Sequence, residues 1–225
     1  MQPEVLFLGS IGAVAETSDY QRQAYNQAFR ENGLDWNWNQ EVYRDLLQTS
    51  GGMHRLDVLA KATQTELPDD KARAIHARKT ELACKNIVDE QVGLRPGVAD
   101  LVKQAKQAGM KVAWVTSTSP ENTNAILEAS GGELQASDFD RIFHRDDAQR
   151  GKPAADVYQV ALDHFGVKPE QAVAIEDSIQ SIRSSKGAGI PTYATLGAFH
   201  DESVDGIADG SYASCAQLPT QQWFG

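Results

Sequence analysis

Cysteine is scarce in this chain, and the two present, Cys84 and Cys215, belong to no paired motif. One disulfide between them is conceivable. A chain of 225 residues buries enough apolar surface without it, so free or buried thiols in a reducing compartment are expected. Basic charge is also short. Lys and Arg number 21 against 31 Asp and Glu, the net charge is -10, and no basic cluster interrupts the acidic background. Nucleic acid and anionic membranes reward a basic face, so neither is an expected partner. The start, Met1-Gln2-Pro3-Glu4, has neither a charged leader nor a long apolar run, which argues against a signal peptide or anchor and for a cytoplasmic location. Repeats and low-complexity segments are missing, and His144, His164 and His200 lack ligand-like spacing and read as structural. With 41% hydrophobic residues and 8 prolines, the chain reads as a soluble globular protein of one large domain, or of one domain with a smaller insert.

The order of apolar periods gives the architecture. Leu6 to Leu8 is a short apolar run ending at Gly9, as suits a buried parallel strand. Helical spacing then dominates: Ser18 to Asn32, Gln40 to Gln48, Gly52 to Thr63 and Pro68 to Asn86, with no strand-like segment between Thr17 and Val88. Arg95-Pro96-Gly97 predicts a further helix with proline in its first turn, ending at Gly109. Beyond it, strands (Lys111 to Val115, Arg141 to His144, Ala172 to Ile175, Thr192 to Ala194) alternate with helices (Pro120 to Ser130, Ala154 to Phe165, Ile179 to Ala188). Such alternation implies right-handed βαβ crossovers and a parallel, Rossmann-like sheet with helices on both faces. The chain is thus α/β, with a core of residues 1–16 and 91–225 and a helical cap of residues 17–90.

In sheets of this kind the site lies beyond the carboxyl ends of the strands. After Val115 come Thr116, Ser117, Thr118, Ser119 and Pro120, hydroxyls and N–H groups that can form an anion-binding nest, or else a helix cap at Ser119. Gly151-Lys152-Pro153 is either a surface turn or a lysine held to neutralise phosphate. Glu176-Asp177-Ser178 puts two adjacent carboxylates at the end of a buried strand, costly unless they bind a cation or accept hydrogen bonds, with Asp177 or Ser178 as a helix cap otherwise.

In this order and spacing, the three segments resemble the second, third and fourth motifs of the haloacid dehalogenase superfamily, within it the CbbY-type sugar-phosphate phosphatases. The resemblance extends to Thr17–Trp38, to Gly51-Gly52 and to His76-Ala77-Arg78-Lys79-Thr80. It implies phosphate contacts from Thr116, Ser117 and Lys152, a structural role for Asp156, direct Mg²⁺ binding by Asp177, and a water-mediated part for Glu176. In the cap it implies substrate contacts from Lys79 and, because Met53 stands where the family often has a lysine, from His54 and Arg55. The first motif departs. That family opens with a strand followed by Asp-x-Asp-Gly-Thr-Leu-x-(Asp/Glu)-Thr. Matching Glu16-Thr17 to the motif's end puts Gly9 at the nucleophile, Ile11 at the general acid/base, Gly12 at the turn glycine and Ala13 at the threonine. Ser10 faces the other way on a strand and has no base beside it, and Glu16 is already acidic in the family, so neither replaces the lost pair.

Three readings follow. One is an impaired homologue, a pseudoenzyme that binds a phosphate or phosphosugar at the core–cap cleft, with Mg²⁺ binding weakened by the loss of a carboxylate. Another is an active Mg²⁺-dependent sugar-phosphate phosphatase with an altered mechanism. The last is a partner protein acting through its cap or its Trp223-Phe224 tail, although the tail is more simply packed on its own domain. A monomer or homodimer fits each. Of Trp36 and Trp38, one is expected in the cap core and the other near the cleft.

Overall fold

The computed structural model describes residues 2–9, 11–49, 51–199, 204 and 206–224; Ser10 and His200 lie outside the described residues. Strand β1 (Val5–Leu8) leads into a single helical turn, α1 (Ile11–Val14). Helices α2 (Ser18–Glu31), α3 (Gln40–Leu47), α4 (Gly52–Ala62) and α5 (Asp69–Asp89) come next. The remainder runs α6 (Val98–Gln107), β2 (Lys111–Val115), α7 (Pro120–Ala129), β3 (Arg141–Phe143), α8 (Asp156–Phe165), β4 (Ala172–Glu176), α9 (Ile179–Gly187), β5 (Thr192–Ala194), β6 (Gly210–Ser211) and α10 (Gln221–Phe224).

The strands form one sheet in the order β3-β2-β1-β4-β5-β6, and every pairing is parallel. β1 is central, which explains why Val5-Leu6-Phe7-Leu8 is apolar at every position rather than at every second one. Leu6 and Leu8 pack on one face with Trp114, Ile126 and Ile175. Val5 and Phe7 pack on the other with Tyr158, Ala161 and Leu162. Register puts Leu8 beside Trp114 on one flank and Ile175 on the other, so the chain leaves β1, β2 and β4 at one edge of the sheet.

Several expectations need correction. Arg95-Pro96-Gly97 precedes α6 instead of opening it: Gly97 is the cap residue, and the Arg95 guanidinium donates to the carbonyls of Gly12 (3.0 Å) and Leu196 (2.9 Å). α8 begins at Asp156, two residues after the expected start at Ala154. β6 lacks any sequence signal, being two residues long. Trp36 does not approach the cleft; it stands edge-on to Phe29 at 5.3 Å between ring centroids, within the same aromatic cluster as Trp38. Both thiols are free, Cys215 buried and Cys84 half-buried. The tail packs on its own domain, with Trp223 buried and 5.1 Å from the Tyr193 ring. Among the described residues no helix is long and apolar enough to cross a membrane.

Helices α2 to α5 close around Tyr25, Phe29, Trp38 and Tyr43. Phe199, from the loop after β5, completes this cluster from outside, edge-on to Tyr43 at 6.0 Å. The irregular link from α2 to α3 is fixed by Asn26. Its amide donates to the Trp38 carbonyl (2.9 Å) and accepts from the Trp38 N–H (2.7 Å), satisfying both backbone groups where water cannot reach. Asn26→Ala leaves the buried Trp38 N–H without its partner, while Arg22 still donates to the carbonyl (2.8 Å), and should cost about 1–3 kcal/mol. At roughly 2–4 °C per kcal/mol for a chain of this size, thermal denaturation followed by circular dichroism reads this directly. An unchanged Tm would rule the clamp out.

Candidate functional site

Gly9, Thr116 and Glu176 follow or end the three central strands. The Gly9 N–H donates to the Ile175 carbonyl (2.8 Å), and the Thr116 N–H to that of Phe143 (3.0 Å). Thr116 is buried, and its hydroxyl accepts from the Thr118 N–H at 3.2 Å, folding the segment after β2 into a tight hydroxyl-bounded turn. Ser119 occupies the cap position of α7 but makes no side-chain cap bond to the helix backbone; its hydroxyl accepts from the Asn122 amide at 3.3 Å. Ser178 does cap α9, accepting from the Ser181 N–H at 3.4 Å.

Lys152 reaches the sheet edge from the segment before α8. It is buried, and its ammonium donates to the Val115 carbonyl (3.0 Å) and to Glu176 Oε1 (2.6 Å). The Tyr158 hydroxyl donates to the same Glu176 oxygen, and the Lys152 ammonium also lies 4.9 Å from the Tyr158 ring centroid. Glu176 is fully buried. Asp177 is packed against α1: a Cβ built on Gly12 would fall 1.9 Å from its Oδ2, so glycine is the residue that fits there.

A cavity of about 330 Å³ separates this edge from the four-helix insert. Of the residues singled out in the sequence, Ile11, Thr116, Ser117, Lys152 and Asp177 line it from below, and Arg55 and Lys79 from above. His54 does not: it is exposed, because one step along α4 turns a side chain by about 100° and Arg55 takes the inward position. Gly9 and Glu176 are absent from the lining and sit behind it. Glu16, already discounted as a replacement, accepts from the backbone N–H groups of Ser18 (3.0 Å) and Ala198 (2.7 Å).

The sequence reading missed the polar chain that ties the two halves. Lys79 donates to Gln21 (2.9 Å), Gln21 to Asn122 (3.0 Å), and Asn122 to Ser119. These partners are 58 and 101 residues apart, so no local pattern announces them. Gln180 adds a second link across the cleft, donating to the Gln48 carbonyl at 3.0 Å. His76 and His144 also line the cavity; His144, read as structural, hydrogen-bonds Thr123 at 3.1 Å.

Burial is the main force on the titratable groups here. It pushes the Lys79 ammonium down to about 7, with Arg55 adding repulsion. It pushes His76 down to about 4, with help from Lys79 and Arg55, so that imidazole is neutral at physiological pH.

Residues 5–189 match the family of haloacid dehalogenase-like hydrolases. The chain is 36% identical over 215 residues to Protein CbbY of Cereibacter sphaeroides, covering 96% of this chain and 94% of that one. It is also 36% identical over 195 residues to Protein CbbY of Rhodobacter capsulatus, covering 87% and 86% respectively. The crystal structure of CbbY from Rhodobacter sphaeroides in complex with phosphate superposes with a TM-score of 0.91 at 35% identity over 99% of both chains. A mutant of that protein in complex with xylulose-(1,5)bisphosphate gives the same values. The chain therefore belongs to the haloacid dehalogenase-like hydrolases. Within them its relatives are the CbbY proteins.

The Lys79 shift has a sign that can be checked. Its folded value, about 7, lies below the ordinary 10.5, so between these limits the unfolded chain binds more protons than the folded one. Stability then rises with pH across that window. Urea denaturation between pH 7 and 9 should show the rise, and Lys79→Met should flatten it. A slope that survives the substitution would assign it to another group.

Proposed function

We propose that the protein binds a phosphorylated sugar in the cleft between core (residues 1–16 and 91–225) and cap (residues 17–90), without hydrolysing it through an aspartyl-phosphate. The observation that carries this reading is the pairing of a retained phosphate side, Thr116, Ser117 and Lys152, with Gly9 and Ile11 at the end of β1. In-line attack on phosphorus needs a nucleophile, and Gly9 has no side chain. Protonating the leaving oxygen needs an acid, and Ile11 carries no exchangeable proton. Removing a nucleophile that works as part of a unit costs on the order of a million-fold in rate.

The donor set also argues against a tight Mg²⁺ site. A hard cation wants several oxygen ligands. Glu176 is committed to Lys152 and Tyr158, which takes up one of the one or two carboxylates that usually hold Mg²⁺ beside water and phosphate. Asp177 with an already paired Glu176 does not fit the ion, so no step is routed through it. A pocket short of two carboxylates but retaining Lys152, Lys79 and Arg55 favours an anion without a metal to bridge it. The CbbY complexes with phosphate and a sugar bisphosphate support the ligand class.

Two measurements decide. Mg²⁺-dependent hydrolysis of an aryl phosphate and a sugar-phosphate panel should be undetectable, while calorimetric titration with inorganic phosphate in chelator should give a millimolar or tighter site. Turnover that falls on Asp177→Ala would overturn the claim of no hydrolysis. Failure to bind phosphate at millimolar concentration would sink the ligand.

A further inference from the structure

The carboxylate of Glu176 occupies the space where a side chain at position 9 would begin. A Cβ built on Gly9 falls 2.0 Å from Glu176 Oε2, 2.1 Å from its Cδ and 2.6 Å from its Oε1. Those separations are far below van der Waals contact, so any side chain at position 9 displaces the carboxylate. That carboxylate is fully buried and holds the buried Lys152 ammonium at 2.6 Å, with the Tyr158 hydroxyl on the same oxygen. A buried ammonium stays charged most readily beside a counter-ion, whereas burial without one lowers its affinity for the proton, as at Lys79. The glycine is therefore a condition of the present packing, since it admits the residue that balances Lys152.

We infer that Glu176 is the resident counter-ion of Lys152, lodged in the side-chain space of position 9, and that it sets the anion affinity of the cleft by competing with the ligand for the lysine. The geometry stands on the packing at Gly9; the effect on affinity rests on the phosphate-binding function proposed above. Glu176 is thus a specificity-determining residue: an anion that only touches the Thr116 turn leaves the pair intact, whereas one that recruits Lys152 must draw it away. Restoring aspartate at position 9 does not simply return a lost group. It first expels Glu176, then places a third carboxylate beside Glu176 and Asp177 with one lysine to answer them.

The geometric part is tested by a double-mutant cycle. Gly9→Ala should lower Tm clearly in the native sequence and far less in a Glu176→Ala background, because the clashing atoms are gone. Equal losses in both backgrounds would overturn the packing. Should Glu176→Ala fail to fold, a crystal structure of Gly9→Ala decides instead: Glu176 must have left Lys152, and an unmoved Glu176 refutes the inference. The affinity part is read by titrating sulfate, whose charge is constant near neutrality, in chelator. Glu176→Gln keeps the shape, frees the charge of Lys152 and should bind sulfate about tenfold tighter, the scale of one charge-assisted hydrogen bond. Equal affinity in the native protein and Glu176→Gln would refute the competition. If neither binds sulfate, the cleft reading and the competition both fail, and the cycle alone judges the packing.

Discussion

The buried pair of Lys152 and Glu176 organises the carboxyl edge of the sheet. It joins the end of β4 to the segment before α8 and, through the Val115 carbonyl, to the end of β2. Neither charge is tolerable alone at this depth, since stripping water from an ion costs several kcal/mol unless a partner replaces it. Each neighbour is shaped by that need. Tyr158 turns its hydroxyl onto the same carboxylate, which with burial drives its own ionisation well above the ordinary range. Gly9 leaves room for the carboxylate, and Gly12 does the same for Asp177 next along the chain.

Across the cavity the insert faces this edge with Arg55, Lys79 and His76. Arg55 is held in place by the carbonyls of Leu46 and Thr49, at 3.0 and 2.9 Å, so its charge is oriented by backbone rather than by an acid. Lys79 is buried against the Tyr25 ring and tied to Gln21. The insert thus brings Arg55, with Lys79 poised near neutrality, to a core wall where Glu176 already offsets Lys152 and where Asp146 and Asp177 also line the cavity.

Much of the fold was legible because its signals are local. The unbroken apolar run of β1 announces a strand covered on both faces, and the alternation after Lys111 announces crossovers. What escaped was short or long-range. β6 has two residues and no room for a period. Pro96 suggested a helix start, but Gly97 and the bonds of Arg95 to Gly12 and Leu196 hold that stretch outside α6. At the site, the missing carboxylates were visible as Gly9 and Ile11, whereas the response of Glu176 was not, because it depends on a glycine far off in the sequence that only the pairing of β1 with β4 brings alongside. His54 and Arg55 looked equivalent until the helix phase separated them. The Lys79–Gln21–Asn122 chain joins residues whose nearness exists only in the fold.

Phe199 gives the two halves of the molecule a common fate. The aromatic cluster of the helical insert is finished by a ring that belongs to the far side of the cleft, beyond β5. Lifting the insert away exposes that ring and opens a hole beside Tyr43, where interior packing tolerates few voids. Movement of the insert away from the sheet is thus resisted by a borrowed side chain. Excision of the insert as a free fragment would leave its core one aromatic short, which couples the packing of insert and sheet.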